Sequence, residues 1–260
     1  MKDMNNSFDL LSSRFSVYVR SYYSDDPEIQ EAVILKERHS FRVLSNACAI
    51  AESEKFDTGD IFAVKASSLL HDLGRFHQFA KYRTFNDNVS ENHALLGISV
   101  LSCESFDRMI PEGDLPTVLA AVRNHNRKDI EENLSARELA VSQVIRDADK
   151  LDILELMIRC FGPAEENPHP EYKFNLPDTP GYNPEIIDLL SSKKKIDNKM
   201  RKNLNDFKLS LISWLRDLNY PYSKQSAVES RFADRIAIRL PGDAVIAGIV
   251  DEIKKDLAVR

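Results

Sequence analysis

The sequence predicts an all-α protein, on three observations. Apolar residues recur at helical spacing through nearly the whole chain. No stretch alternates apolar and polar residues between turn signals, as a half-buried strand would. Only eight glycines occur in 260 residues, which disfavours a sheet-rich fold.

Taken in order, Phe8 to Tyr23 carries the first helical stripe. Asp26-Pro27 supplies an N-cap with proline at the first helical position, and the pattern continues from Glu28 to Glu54. Thr58 or Asp60 caps a helix running to Leu73, where Gly74 offers a stop. Phe76 to Val89 mixes polar and aromatic residues around Asn86-Asp87-Asn88 and reads as a loop or short turns. Ser90 caps a helix to Phe106. Pro111 and Gly113 break the pattern, and Pro116 opens a helix that reaches Asn124. Ser135 starts a long helix through Cys160, with Glu138 three residues on to complete a capping box. Residues 161–184 hold six of the eleven prolines and read as a linker or covering loop. Beyond them, helices are expected over Glu185 to Lys195, Met200 to Leu218, Ser223 to Arg239 and Asp243 to Leu257.

Composition narrows the function. Hydrophobic residues make up 43% of the chain, enough for a real core. A net charge of -6 opposes general nucleic-acid or membrane-surface binding. No apolar run approaches the ~20 residues that span a bilayer. Asp3 and Asp9 fall where a signal peptide needs apolar length. Cys48, Cys103 and Cys160 are too sparse for a disulfide frame or a thiolate metal site. They suit free buried thiols in a reducing cytoplasm, which is the expected location.

Against this background, several polar residues fall on apolar helical stripes. His39 shares a stripe with Leu35, Val43 and Ala47. His71 shares one with Val64, Ser67 and Ser68. His93 sits above Leu96, Gly97 and Val100, and His125 follows Val118, Ala121 and Val122. Asp149 lies between Ile145 and Ile153, where an isolated carboxylate is costly unless paired, protonated or metal-bound. Singly, each histidine is more often a core residue with a satisfied hydrogen bond, and Asp149 has Arg146 and Lys150 nearby. Together they take four of the six histidines and an aspartate, Asp72, directly after His71. Imidazole and carboxylate suit divalent Fe, Mn, Zn, Ni or Co. Adjacent helical residues point about 100° apart, so His71 and Asp72 can address one ion from two directions while Asp72 leans towards a second.

The order His39, His71-Asp72 within LLHDLGRF and Asp149 within RDADKLD resembles the HD-domain superfamily of metal-dependent phosphohydrolases, over roughly residues 30–160. His93 in ENHALLG and His125 in RNHN resemble its dinuclear members. The resemblance implies an HD-domain helical bundle with additional C-terminal helices packed on it. The expected parts are an N-terminal helix (1–29), the metal-binding core (30–160), the proline-rich loop (161–184) and a C-terminal helical extension (185–260). It implies one ion among His39, His71, Asp72 and Asp149, and a second among Asp72, His93 and His125. Members with a glycine-tyrosine-proline signature carry a histidine where this chain has Asn126, which argues against that cyclic-di-GMP subtype and against a third metal.

The implied chemistry is hydrolysis of a phosphate ester on a small phosphorylated substrate, a nucleotide among the candidates, with one or two divalent ions as cofactor. Asp72 is expected to serve both ions. Arg75, one short turn past it, and Lys150, beside Asp149, are the expected cations for developing charge. Lys81 and Arg83 either line the mouth or are surface charges. His77 reads as packing, with substrate contact as its alternative, and His169 as exposed. Asp152 would orient a ligand histidine or be solvated. The run Lys193, Lys194, Lys195, Lys199, Arg201 and Lys202 reads as a solvated face, with anion steering as its functional alternative. Tyr172, Phe174 and Tyr182 would stack on a base or pack. Two other readings share the ligands: an HD-type diiron oxygenase, and a metal-stabilised regulatory or binding module.

Overall fold

The computed structural model describes residues 2–162 and 176–258, with side chains from Ser7 onward. His169, Tyr172 and Phe174 lie outside the described residues. Among those described, all regular structure is helical. The chain divides into two compact units, residues 1–149 and 150–260.

The first unit holds α1 (Lys2–Arg20), α2 (Pro27–Ser53), α3 (Ile61–Leu70), α4 (Leu73–Tyr82), α5 (His93–Cys103), α6 (Leu115–Asn124) and the start of α7 (Ala136–Cys160). Local chemistry sets the ends of these helices. Asp26 caps α2 through the amides of Glu28 and Ile29, with Pro27 at the first position. Ser135 and Glu138 exchange reciprocal bonds of 2.8 and 3.2 Å at the start of α7, the expected capping box.

The α3 helix is apolar nearly all round, with Phe62, Ala63, Val64, Ala66, Leu69 and Leu70 buried, so it sits inside the unit. It packs on α1, α2 and α6, while α4 packs on α2 and α5. Tyr18 of α1 meets Phe76 of α4 and Phe106 edge-on, at 6.0 and 5.8 Å between ring centroids.

Arg137 fastens one end of the unit. It donates to Asp60 Oδ1 (2.6 Å) and Gly59 O (2.9 Å) before α3, and to Asp114 Oδ1 (2.6 Å) and Gly113 O (2.9 Å) before α6. Asp60 and Asp114 both stand at N-cap positions, and neither caps its helix. Their carboxylates go to the guanidinium instead, which ties the starts of α3 and α6 together.

Several expectations need correction. Gly74 does not stop a helix; it lies in the first turn of α4, and Phe76 to Tyr82 is helical rather than loop. Its role is closeness. A Cβ there would stand 2.3 Å from His93 O and 2.6 Å from Gly97 N, so only glycine lets α4 and α5 approach. Asn92, rather than Ser90, caps α5 through the amides of Ala94 and Leu95. Of the three thiols, only Cys160 is buried; Cys48 is half-buried and Cys103 exposed.

The second unit continues α7 from Lys150 and holds α8 (Pro184–Ser191), α9 (Leu204–Trp214), α10 (Pro221–Glu229), α11 (Phe232–Ala237) and α12 (Ala244–Ala258). The expected helix from Ser223 to Arg239 is broken after Glu229, where Arg231 adopts a left-handed conformation (φ 53°). A tight turn at Asn198–Met200 precedes α9, so that helix starts at Leu204 rather than Met200. Ile246, Ile249, Val250 and Ile253 form the buried stripe of α12, which packs on α9, α10 and α11.

Candidate metal centre

His71 and His125 each follow the last residue of a ten-residue helix, α3 and α6 respectively. The final turn of a helix leaves carbonyls without intrahelical partners. Each imidazole takes one of them: His71 Nδ1 donates to Ser68 O and His125 Nδ1 donates to Val122 O, both at 2.7 Å. A carbonyl only accepts, so Nδ1 carries the proton and Nε2 presents a lone pair. His93 reaches the same state by another route. Its Nδ1 lies 2.6 Å from Asp87 Oδ2, again an acceptor.

The Nε2 atoms of these three histidines converge with that of His39. His93 and His125 approach to 2.9 Å Nε2 to Nε2, and His39 and His71 to 3.2 Å. Asp72 stands between the two pairs. It occupies the N-cap position of α4 without capping it, because its carboxylate turns inward. Its Oδ2 lies 3.4 Å from His39 Nε2 and 3.7 Å from His71 Nε2. Its Oδ1 lies 3.4 Å from His93 Nε2 and 3.7 Å from His125 Nε2. Asp149, from α7, places Oδ1 3.1 Å from His39 Nε2 and 3.8 Å from His71 Nε2. That oxygen is buried, and no contact to it has hydrogen-bond geometry. All six residues are therefore brought together within the first unit.

These donors fit metal ions. Three sets can each hold one: His39, His71 and Asp72; Asp72, His93 and His125; and His71, His125 and Asp149. In each set the ligand atoms lie within 4.8 Å of one another. Two lone pairs opposed across 2.9 Å, as in His93 and His125, repel unless a cation lies beside both. Nitrogens at about 2.1 Å from one ion and at right angles to each other stand about 3.0 Å apart, close to the spacings found. The orphaned Asp149 oxygen wants the same partner.

Electrostatics agree. Burial pushes His71 down to about 4 and His93 down to about 3, the Arg75 charge assisting at His93. Both are neutral ligands at physiological pH. Burial would raise the Asp72 carboxyl, but Lys36, His71, His125 and Arg75 hold it well below the usual range. Burial works the same way at Asp149, where His39 and His71 outweigh it and lower the carboxyl.

Two residues at the centre went unread in the sequence. Lys36 Nζ stands 2.8 Å from Asp72 Oδ2. It lies one turn before His39 on α2, so the helical i, i+3 rule could have found it. Asp87 holds His93 and also accepts from Arg75 Nη1 at 3.0 Å and Gln78 Nε2 at 2.9 Å. Nothing in the turn Asn86-Asp87-Asn88 marks it, because its partners come from α4 and α5. Asp87 fills for His93 the orienting role that the sequence suggested for Asp152.

The expected cations fare differently. Arg75 Nη1 donates to Phe85 O (2.6 Å), Gln78 Oε1 (2.8 Å) and Asp87, while Nε faces Asp72 Oδ1 at 3.4 Å without hydrogen-bond geometry. Lys150 lies in the second unit, where its Nζ donates to Asp217 O at 3.0 Å and Oδ2 at 2.5 Å. Lys81 pairs with Glu91, and Arg83 with Asp26 and Glu28, as exposed surface pairs. Arg146 Nη1 takes Asn124 O at 2.9 Å and Arg127 O at 2.5 Å, securing the end of α6 that carries His125. Tyr182 donates to Asp243 Oδ2 at 2.8 Å.

The family model of the HD domain matches residues 37–154, an interval that contains all six clustered residues. Residues 37–154 are thus similar to an HD domain, and the His/Asp cluster within them could hold metal. Searches of the curated proteins and of the solved structures find no match. The HD domain points to metal-dependent, hydrolase-type chemistry. Among the described residues, no helix is long and apolar enough to cross a membrane.

Proposed function

We propose that the chain is a phosphohydrolase that cleaves a phosphate ester of a nucleotide or small phosphorylated metabolite. The observation that carries this reading is the divided carboxylate of Asp72, with one oxygen towards each imidazole pair. His39, His71, Asp72 and Asp149 would hold one divalent ion, and Asp72, His93 and His125 a second. Bound there, such ions supply acidity to a water and positive charge for the phosphate oxygens.

The chain's own residues prepare the rest. The Nδ1 bonds of His71, His93 and His125 fix which nitrogen faces inward. Lys36 and Arg75 each put a cation beside one oxygen of Asp72, and both lie over the Phe85 ring, 5.3 and 5.7 Å from its centroid. They are the groups suited to meet the negative charge of a phosphate. Arg75 Nη1 is occupied by Asp87, Phe85 and Gln78, while its buried Nε has no hydrogen-bond partner among the described residues. Lys150, engaged by Asp217, takes no part in this reading.

The test starts with elemental analysis of protein purified without added metal. Phosphate release from nucleoside monophosphates and small phosphomonoesters is then measured with manganese, cobalt or nickel. Oxygen uptake is measured in parallel with the iron form. Metal-dependent phosphate release, abolished by chelator, is expected. Oxygen consumption without phosphate release would replace the hydrolase with the oxygenase. Full metallation with neither activity would favour a binding module.

A further inference from the structure

The second unit buries a guanidinium whose best donor edge is unused. Arg201 lies between the Asn198–Met200 turn and α9. Its backbone is fixed on both sides: its own amide donates to Asn198 O (3.3 Å), and the next amide, of Lys202, to Asp206 Oδ2 (2.8 Å). One face of the guanidinium lies over Phe207, with Cζ 4.9 Å from the ring centroid. Phe207 is itself held edge-on by Phe161 at 5.7 Å.

Arg201 Nε and Nη2 are both buried, and among the described residues neither has a hydrogen-bond partner. These two N–H groups point the same way and form the fork that meets two oxygens of one carboxylate or phosphate. The obvious internal acid does not use it. Asp206 is buried, but its oxygens accept from the amides of Asn183 (2.6 Å) and Lys202 (2.8 Å). Asp197 acts on the guanidinium only as a neighbouring charge, and burial depresses Arg201 to about 10. A buried fork left unmade is costly, and two donors on one edge ask for one bidentate acceptor.

The surroundings select among acceptors. Lys193 and Lys195 are matched by Asp256 (2.6 Å) and Asp217 (2.9 Å). Lys194, Lys199 and Lys202 on the same segment are exposed, and among the described residues no carboxylate pairs with them. Three unmatched lysines on the same segment as an unfilled guanidinium favour an anion with more than one charge.

We propose that Arg201 is the receptor for a phosphate group, held side-on by Nε and Nη2, with Lys199 and Lys202 drawing the anion in. The site lies wholly in the second unit, and none of its residues belongs to the His/Asp centre. Both fork atoms are closed from solvent, so the anion reaches them through a local opening and stabilises the closed form on arrival.

The test uses the full chain in excess chelator, so that the metal centre contributes nothing. Melting temperature and calorimetric titration are followed with inorganic phosphate, with acetate, and with sodium chloride at matched ionic strength. Phosphate at low millimolar concentration is expected to raise the melting temperature above the chloride control, in the wild type and in Asp72→Ala alike. Arg201→Lys, which keeps the charge but loses the fork, should bind phosphate about tenfold more weakly, the loss of one charge-assisted hydrogen bond. Lys199→Gln with Lys202→Gln, both on the surface, should weaken it several-fold. An unchanged response in Arg201→Lys, or no response beyond chloride in the wild type, overturns the proposal. An equal response to acetate overturns the phosphate assignment. Loss of the response in Asp72→Ala moves the anion to the metal centre and also overturns it. Should Arg201→Lys fail to fold, the lysine pair decides: undiminished phosphate affinity there rejects the site.

Discussion

His93 and His125 face each other Nε2 to Nε2 across 2.9 Å, while each Nδ1 is engaged by an oxygen. As neutral rings, neither imidazole has an Nε2 proton to offer the other. The pair is under repulsion until a cation relieves it, so metal and fold are coupled. Chelator should lower the melting temperature and divalent metal restore it. An ion at a hundred times its dissociation constant adds about 2.7 kcal/mol, a shift of several degrees in differential scanning fluorimetry. An identical melting curve with and without chelator argues that nothing is held there.

Asp72 is the residue common to both proposed ions. Asp72→Ala should remove activity and most bound metal. His93→Ala and His125→Ala should each reduce the stoichiometry from two to one by elemental analysis. Two ions retained in both histidine variants would remove the second position from the account. Normal turnover in Asp72→Ala would remove the mechanism.

Asp87 reaches the centre through His93 and Arg75. Asp87→Asn keeps the shape and loses the charge that fixes the His93 tautomer. Metal affinity at that position should fall by about 10–100-fold, the usual effect of losing such a partner. Circular dichroism should not change. Metal titration checks the first outcome, and unchanged affinity would make Asp87 a purely local tie for Arg75.

Arg137 joins the starts of α3 and α6 through four bonds. Arg137→Ala should cost about 1–3 kcal/mol, the range for hydrogen bonds to a charged group, reduced by its partial exposure. Denaturant unfolding measures the loss. Amide exchange should rise first at the amino ends of α3 and α6; a rise confined to α7 would contradict the tie.

Gly74→Ala places a methyl 2.3 Å from the carbonyl of His93. The obstacle is backbone, which cannot rotate aside. A loss of about 1–3 kcal/mol is expected, as for overpacking, with weaker metal binding because His93 moves with α5. Gly59→Ala meets nothing within 4 Å and serves as the control.

The helices and the six clustered residues were readable because periodicity, capping chemistry and ligand type are local properties. Asp26-Pro27 and the Ser135–Glu138 box announced helix starts that the structure keeps. What failed was the meaning of residues whose reason lies elsewhere in the chain. Gly74 looked like a stop and is a point of contact with α5. Asp60, a candidate cap, serves Arg137 seventy-seven positions away. Asp87 sat in an unremarked turn. In each case the deciding partner is remote, and periodicity carries no information about it.

The α3 and α6 helices are both ten residues long, each beginning beside an aspartate bound to Arg137 and ending in an inward imidazole. They act as matched struts between a guanidinium clamp and a cation pocket. One extra residue in either would lengthen it by about 1.5 Å and swing its imidazole by about 100°. Their lengths are therefore a shared tolerance. Natural variation in this fold should show insertions in the connecting turns and none within these two helices.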